Sequence, residues 1–242
     1  TGLLTDDGFE FNATVDLNYN QKRYEALGQI IDEYVYDLLE KEGLNRLPVP
    51  KDTDVILKSF IFATDDYLVN DKLMVLIHGS GVVRAGQWAR RLIINDNLKT
   101  GTQLPYIKKA RELGYAVMVL NTNDNFRSLP DETSKKDNTK KSEIPDPHSH
   151  VETVWKHYIH PSKANHIAIV AHSYGGAIDH PQDFKNRIFA VGLTDSVHSI
   201  PVAAMKIKDT LKVGENCFSP LGKMLLVILE FRMIRSDESF SQ

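Results

Sequence analysis

The run His166-Ile167-Ala168-Ile169-Val170-Ala171-His172-Ser173-Tyr174-Gly175-Gly176 constrains this chain more than any other stretch. A short, continuously apolar segment of this kind is the signature of a strand buried on both faces of a parallel sheet. It ends in a sharp turn with a serine at the tip. The pattern is small-x-Ser-x-Gly, with Ala171 where a first glycine commonly stands. Small residues are needed on either side because the reversal from strand to helix leaves no room for large side chains and holds the serine backbone under strain.

Other segments repeat the theme. Leu73 to Ile77, Tyr115 to Leu120 and Ile188 to Leu193 are short apolar runs that predict buried strands, and Val55 to Ala63 predicts another. Helices are expected between them. Over 20–42, Tyr24, Leu27, Ile31, Tyr34 and Leu38 recur at helical spacing, and Gly43 supplies the stop. Residues 86–94, 104–113 and 148–160 predict three more helices. Pro48 and Pro50 mark a loop. Alternation of buried strands with helices predicts an α/β fold with a doubly wound, mostly parallel sheet. Three regions result: an irregular segment 1–19, an α/β domain 20–199 with a flexible insertion 121–147, and a divergent segment 200–242.

The 242 residues carry a net charge of −3, so nothing draws the chain globally toward nucleic acid or an anionic membrane. Direct nucleic-acid binding and membrane attachment are not expected. Met224 to Phe231, interrupted by Glu230, is too short for a spanning helix. Cys217 is the single cysteine, which rules out an internal disulfide and a cysteine metal site. An opening at Thr1 without Met is what a piece of a longer chain would show.

Chemistry in such sheets gathers at the carboxyl ends of the strands. Three of those ends carry candidates. His78-Gly79-Ser80-Gly81 follows an early strand, and is either an oxyanion-hole loop, whose glycines expose backbone N–H groups, or a plain tight turn. Ser173 is a candidate nucleophile, with the neighbouring Tyr174 N–H as an oxyanion donor, or it is an unreactive relic of the turn. Asp195 and His198 follow strand 188–193 and keep the order serine, acid, histidine. Only three residues separate them, so a capping Asp195 and a surface His198 form the plainer alternative. His148, His150, His157 and His160 lie on or beside one helix without an acidic or cysteine partner at metal-site spacing. No metal or cofactor is expected. Arg84, Arg90 and Arg91 either meet an anion or an acidic partner or simply coat a helix, and the coat is the plainer reading.

The stretches VLIHGSGVVRAGQWARRLIIN at 75–95, YAVMVLN at 115–121, AHSYGG at 171–176 and LTDSVH at 193–198 together resemble the Arb2-domain family. More narrowly, they resemble its animal cotranscriptional-regulator branch, the "family with sequence similarity 172" proteins. NQKRYEALG at 20–28 also fits, and the resemblance covers about 18–199. It implies an α/β-hydrolase-like fold and a mainly non-catalytic role, through argonaute and chromatin or splicing factors, in alternative splicing and silencing. It also implies residence in the nucleus, with the cytoplasm as a second site. The family's candidate nucleophile falls on Ser173, its glycine turn on His78 to Gly81, and its acid–histidine segment on Asp195 to His198.

Two departures stand out. Pro181 shortens the helix expected after Gly176, since proline in a helix interior costs about 3 kcal/mol or more. Beyond Ser199 the family pattern is lost. The functions to weigh are therefore an interaction module with little or no catalysis, a serine hydrolase of esterase type using Ser173, and a degenerate, non-functional copy.

Overall fold

The structure, a computed structural model, describes residues 9–51, 59–125, 146–172, 186–194, 211–219 and 222–229. It opens on a long helix, α1, Leu17–Lys41. Asp16 starts this helix: its carboxylate accepts the N–H groups of Asn18 and Tyr19 at 2.9 and 3.1 Å. That is the standard satisfaction of orphan donors at a helix N-terminus, and it places the start three residues before the expected one at residue 20. Gly43, with φ of +82°, ends the helix as expected. The buried face is Gly28, Ile31, Val35, Tyr36 and Leu39. Tyr34, which the spacing assigns to that face, is 48% exposed instead.

Eight strands form one sheet in the order β1-β2-β4-β3-β5-β6-β8-β7. They are β1 Leu44–Val49, β2 Ser59–Thr64, β3 Lys72–Ile77, β4 Ala116–Val119, β5 His166–His172, β6 Ile188–Thr194, β7 Leu211–Ser219 and β8 Gly222–Leu229. The four central strands, β4-β3-β5-β6, are parallel. They are the four continuously apolar runs of the sequence, as expected for strands covered on both faces. Antiparallel strands flank them on either side. The crossed order β2-β4-β3-β5, with β2 running against the central four, makes the fold α/β-hydrolase-like.

Side chains alternate across the sheet and fill two cores. On one face, Leu73, Val75 and Ile77 join Met118, Ile167 and Ile169 under Val151, Val154, Trp155 and Tyr158. On the other, Leu76, Val117, Val119 and Val170 pack beneath Ile31, Val35, Tyr36 and Leu39 of α1, together with Ile107 and Ala110. The last two belong to α4, Leu104–Glu112. Helices on both faces confirm the doubly wound reading.

Two local expectations are corrected and a third is refined. The loop expected at Pro48 is a strand, because β1 is the sheet edge, where a residue without an N–H is tolerated. The Tyr158 hydroxyl donates to the Pro48 carbonyl and ties this edge to the core. The helix expected over 86–94 begins only at Arg90; α2 is Arg90–Asn95, followed by the short α3, Leu98–Gly101. Residues 86–89 instead form a bridge from Gln87 to Thr102. The helix expected over 148–160 is α5, Pro147–Val154, continued as one π-helical turn, Trp155–Ile159.

In the segment expected to diverge, β7 and β8 form an antiparallel hairpin, and β8 extends the sheet from β6 by pairing Leu225 with Leu193 and Ile228 with Ala190. The shortened helix expected after Gly176 lies outside the described residues.

Candidate functional site

The carboxyl ends of β3, β4, β5 and β6 converge on one rim of the sheet, where polar groups replace the apolar run of each strand. At the end of β3, His78 is fully buried. Its Nδ1 lies 2.9 Å from the Gly79 carbonyl, which can only accept, so Nδ1 carries the proton. Nε2 is then an acceptor, buried and without a hydrogen-bond partner among the described residues. Burial, with Arg84 and His172 nearby, pushes the imidazole down to about 4, so it is neutral at pH 7.

The turn after His78 is held from outside. Asn123 donates its carboxamide to the carbonyls of Gly79, at 2.8 Å, and Val83, at 3.0 Å. Those carbonyls are thereby turned toward β4. Ser80 and Gly81 are exposed, and Gly81 has a φ of +116° with open space around it. The turn is thus exposed, glycine-bearing and tied back by two of its carbonyls.

Residues 121–125 belong to this rim rather than to a flexible insertion. That expectation is corrected for its first five residues: Asn121, Thr122, Asp124 and Asn125 are all buried. Asn121 accepts the Ala85 N–H at 2.9 Å and donates to Asp124 and to the Tyr36 hydroxyl at 3.2 and 3.3 Å. Its own N–H points to Nε2 of His150 at 3.4 Å. His150 is fully buried, with Nδ1 3.0 Å from the Asn125 carboxamide oxygen and 3.3 Å from the Ser59 hydroxyl. An acceptor Nε2 and a donor Nδ1 describe one neutral tautomer. Burial, reinforced by His78, pushes His150 down to about 3. The sequence marked His150 only as one of four histidines near a helix. The signal that sets it apart is its place on the apolar face with Val151 and Val154.

The turn is also anchored to α1. Arg90 is 7% exposed and donates to both carboxylate oxygens of Asp32, at 2.9 and 3.1 Å, and to the Val82 carbonyl at 2.6 Å. Gln87 donates to the same carboxylate at 2.7 Å. Arg90 therefore braces the loop from within, which corrects the surface coat expected of it. Gly28 makes room: a Cβ there would meet the guanidinium at 2.4 Å.

Of the candidate residues, the structure places His78, Gly79, Ser80 and Gly81 together at the end of β3. Ser173, Tyr174, Asp195 and His198 lie outside the described residues. The strands leading to them are adjacent. His172 and Thr194 are register partners, and Nδ1 of His172 lies 2.9 Å from the Thr194 hydroxyl. His172 also meets Trp88 edge-on at 6.2 Å between ring centres. Among the described residues, no group of three or more His, Cys, Asp or Glu could hold a metal ion. No helix there is long and apolar enough to cross a membrane.

The Arb2 domain model matches residues 4–209. The chain belongs to the Arb2 family. The match reaches ten residues past the point where the motifs give out. A chicken protein called "Cotranscriptional regulator ARB2A homolog" is 42% identical, over 88% of this chain and 64% of its own length. The human "Cotranscriptional regulator ARB2A" is 42% identical over 89% of this chain and 64% of its own. A Caenorhabditis elegans "FAM172 family protein homolog" is 50% identical over 73% of this chain and 56% of its own. This chain thus spans under two thirds of the length of these curated relatives.

Proposed function

We propose that this Arb2-family chain is a protein-interaction module of cotranscriptional regulation, acting in the nucleus on a hydrolase-like scaffold. The observation that carries the reading is the 42% identity, over nearly nine-tenths of the chain, to relatives named cotranscriptional regulators. The rim supports it. Its two fully buried histidines, His78 and His150, are neutral and bonded to backbone or carboxamide groups of the loops. An imidazole held near 4, as His78 is, lies far below neutral pH and is poorly matched to general-base work there. The resemblance to the animal branch points to argonaute and to chromatin or splicing factors as partners. Capture from nuclear extract tests this. Wild type and Ser173→Ala should recover the same partners, and failure of the folded wild type to recover any would remove the reading's support.

A second reading, a serine hydrolase using Ser173, is favoured by one feature: the exposed glycine turn with its carbonyls held back by Asn123. A fluorophosphonate probe separates the two. Labelling of wild type but not of Ser173→Ala would show an activated serine; no labelling of a folded wild type leaves the interaction module.

A further inference from the structure

We propose that α1 is a self-association surface, docking antiparallel on α1 of a second copy of this chain. The proposal goes beyond the reading above and holds whether or not Ser173 reacts. Besides Leu17 at the helix start, which is 74% exposed and points elsewhere, three large apolar residues of α1 stand in solvent: Tyr19 at 54%, Ile30 at 56% and Tyr34 at 48% exposed. At 100° per residue, they and the exposed Ala26 fall within an arc of about 80°, opposite the face packed on the sheet. Exposed apolar residues are ordinary singly, but a stripe along one helix marks a contact surface.

Charges on and beside that stripe say what covers it. Asp37, on the stripe near its end, and Lys22, about 40° off its flank near its start, are both exposed. Among the described residues, neither has an ion-pair partner. The midpoint of the two falls between Gln29 and Ile30. A two-fold axis there sets Ile30 against Ile30 and brings each Lys22 to the second copy's Asp37, with Ala26 of one copy making space for Tyr34 of the other. A parallel pairing would oppose lysine to lysine and aspartate to aspartate. The face is complementary to itself only when reversed, as an isologous dimer requires. One pair of 25-residue helices, about 37 Å long, gives an interface at the small end of specific contacts. The dimer is accordingly a micromolar, salt-sensitive one.

Sedimentation of the purified chain, from low micromolar upward and at low and high salt, tests this. Wild type should dimerise, more weakly in high salt. Ile30→Asp should weaken the dimer by about tenfold or more while leaving the circular dichroism spectrum unchanged. Lys22→Glu and Asp37→Lys should each weaken it several-fold, and the two together should restore it. That exchange also decides the matter should Ile30→Asp fold poorly. A wild type that stays monomeric, a dimer indifferent to Ile30→Asp, or a charge exchange without recovery each overturns the proposal. So does a monomeric wild type that captures a nuclear protein which Ile30→Asp loses; the face would then belong to a different partner.

Discussion

The two ends of the central strands use the same residue types to opposite effect. At the carboxyl ends, His78 and His150 are fully buried and held neutral, and each is locked to backbone or carboxamide groups. At the amino ends, His166 pairs with Asp71 at 2.7 Å in full view of solvent, with side chains 58% and 55% exposed. A buried polar group must be satisfied or it costs the full desolvation of the unpaired atom, whereas an exposed pair exchanges its partner for water. The rim that carries the candidate site is therefore where sequence changes should be felt, and the opposite rim is where they should not.

Acid should show the difference most strongly. An unfolded histidine binds its proton near 6.5, whereas His78 and His150 resist until about 4 and 3. Between those limits the unfolded chain holds more protons than the folded one. The stability these two provide is complete above about 6.5 and is lost as pH falls through that window. A histidine kept neutral in the fold costs about 1.4 kcal/mol of stability for each pH step below 6.5, so the pair together should lose roughly 6 kcal/mol between pH 7 and pH 4. Urea unfolding at a series of pH values measures the slope. His150→Gln should flatten it, and an unchanged slope in that variant would mean that the buried-neutral description of this rim is wrong.

Next in size is the brace from α1. Asp32→Ala leaves Arg90 buried without its counter-ion, and removing one partner of a buried pair costs about 3–5 kcal/mol. Replacing both Asp32 and Arg90 by apolar residues should cost less than the single change, because no orphaned charge remains. A double-mutant cycle in chemical denaturation checks this. Asn123→Ala should cost less again, about 2 kcal/mol, by freeing the carbonyls of Gly79 and Val83. If the turn serves as an oxyanion loop, that variant should also lose fluorophosphonate labelling in step.

Much of the fold was legible in the sequence because burial of a strand on both faces leaves a local mark. Leu73 to Ile77 and Ile167 to Ala171 have no polar residue to hide. The site was legible only where it coincided with such a mark, as at His78 to Gly81. Its supporting residues left none. Arg90 looks like any surface arginine until Asp32, 58 positions away, is seen to meet it. His150 looks like its exposed neighbour His148 until Ser59 and Asn125 close around it, from 91 and 25 positions away. Pro48 argues for a loop until the strand is found at the sheet edge. In each case the deciding partner is distant in sequence, so local pattern carried no information about it.

The smallest expected effect is at the opposite rim, and it is the control that gives the others meaning. The hydrogen bond from Asn165, then the one shared with His166, hold the Asp71 carboxyl below its ordinary value. A carboxylate depressed in this way stabilises the fold above its unfolded pKa and loses that contribution as pH falls through the lower folded value. Exposure lets water take the place of either partner, so His166→Ala and Asp71→Asn should leave the melting temperature almost where it was at neutral pH. Both should follow the wild-type acid curve between pH 7 and pH 5, because His78 and His150 set that slope and these variants leave them untouched. A marked loss of stability in His166→Ala would show that the amino-terminal rim is also held by its polar groups. The contrast would then lie in exposure alone, without the division of labour argued for the two ends.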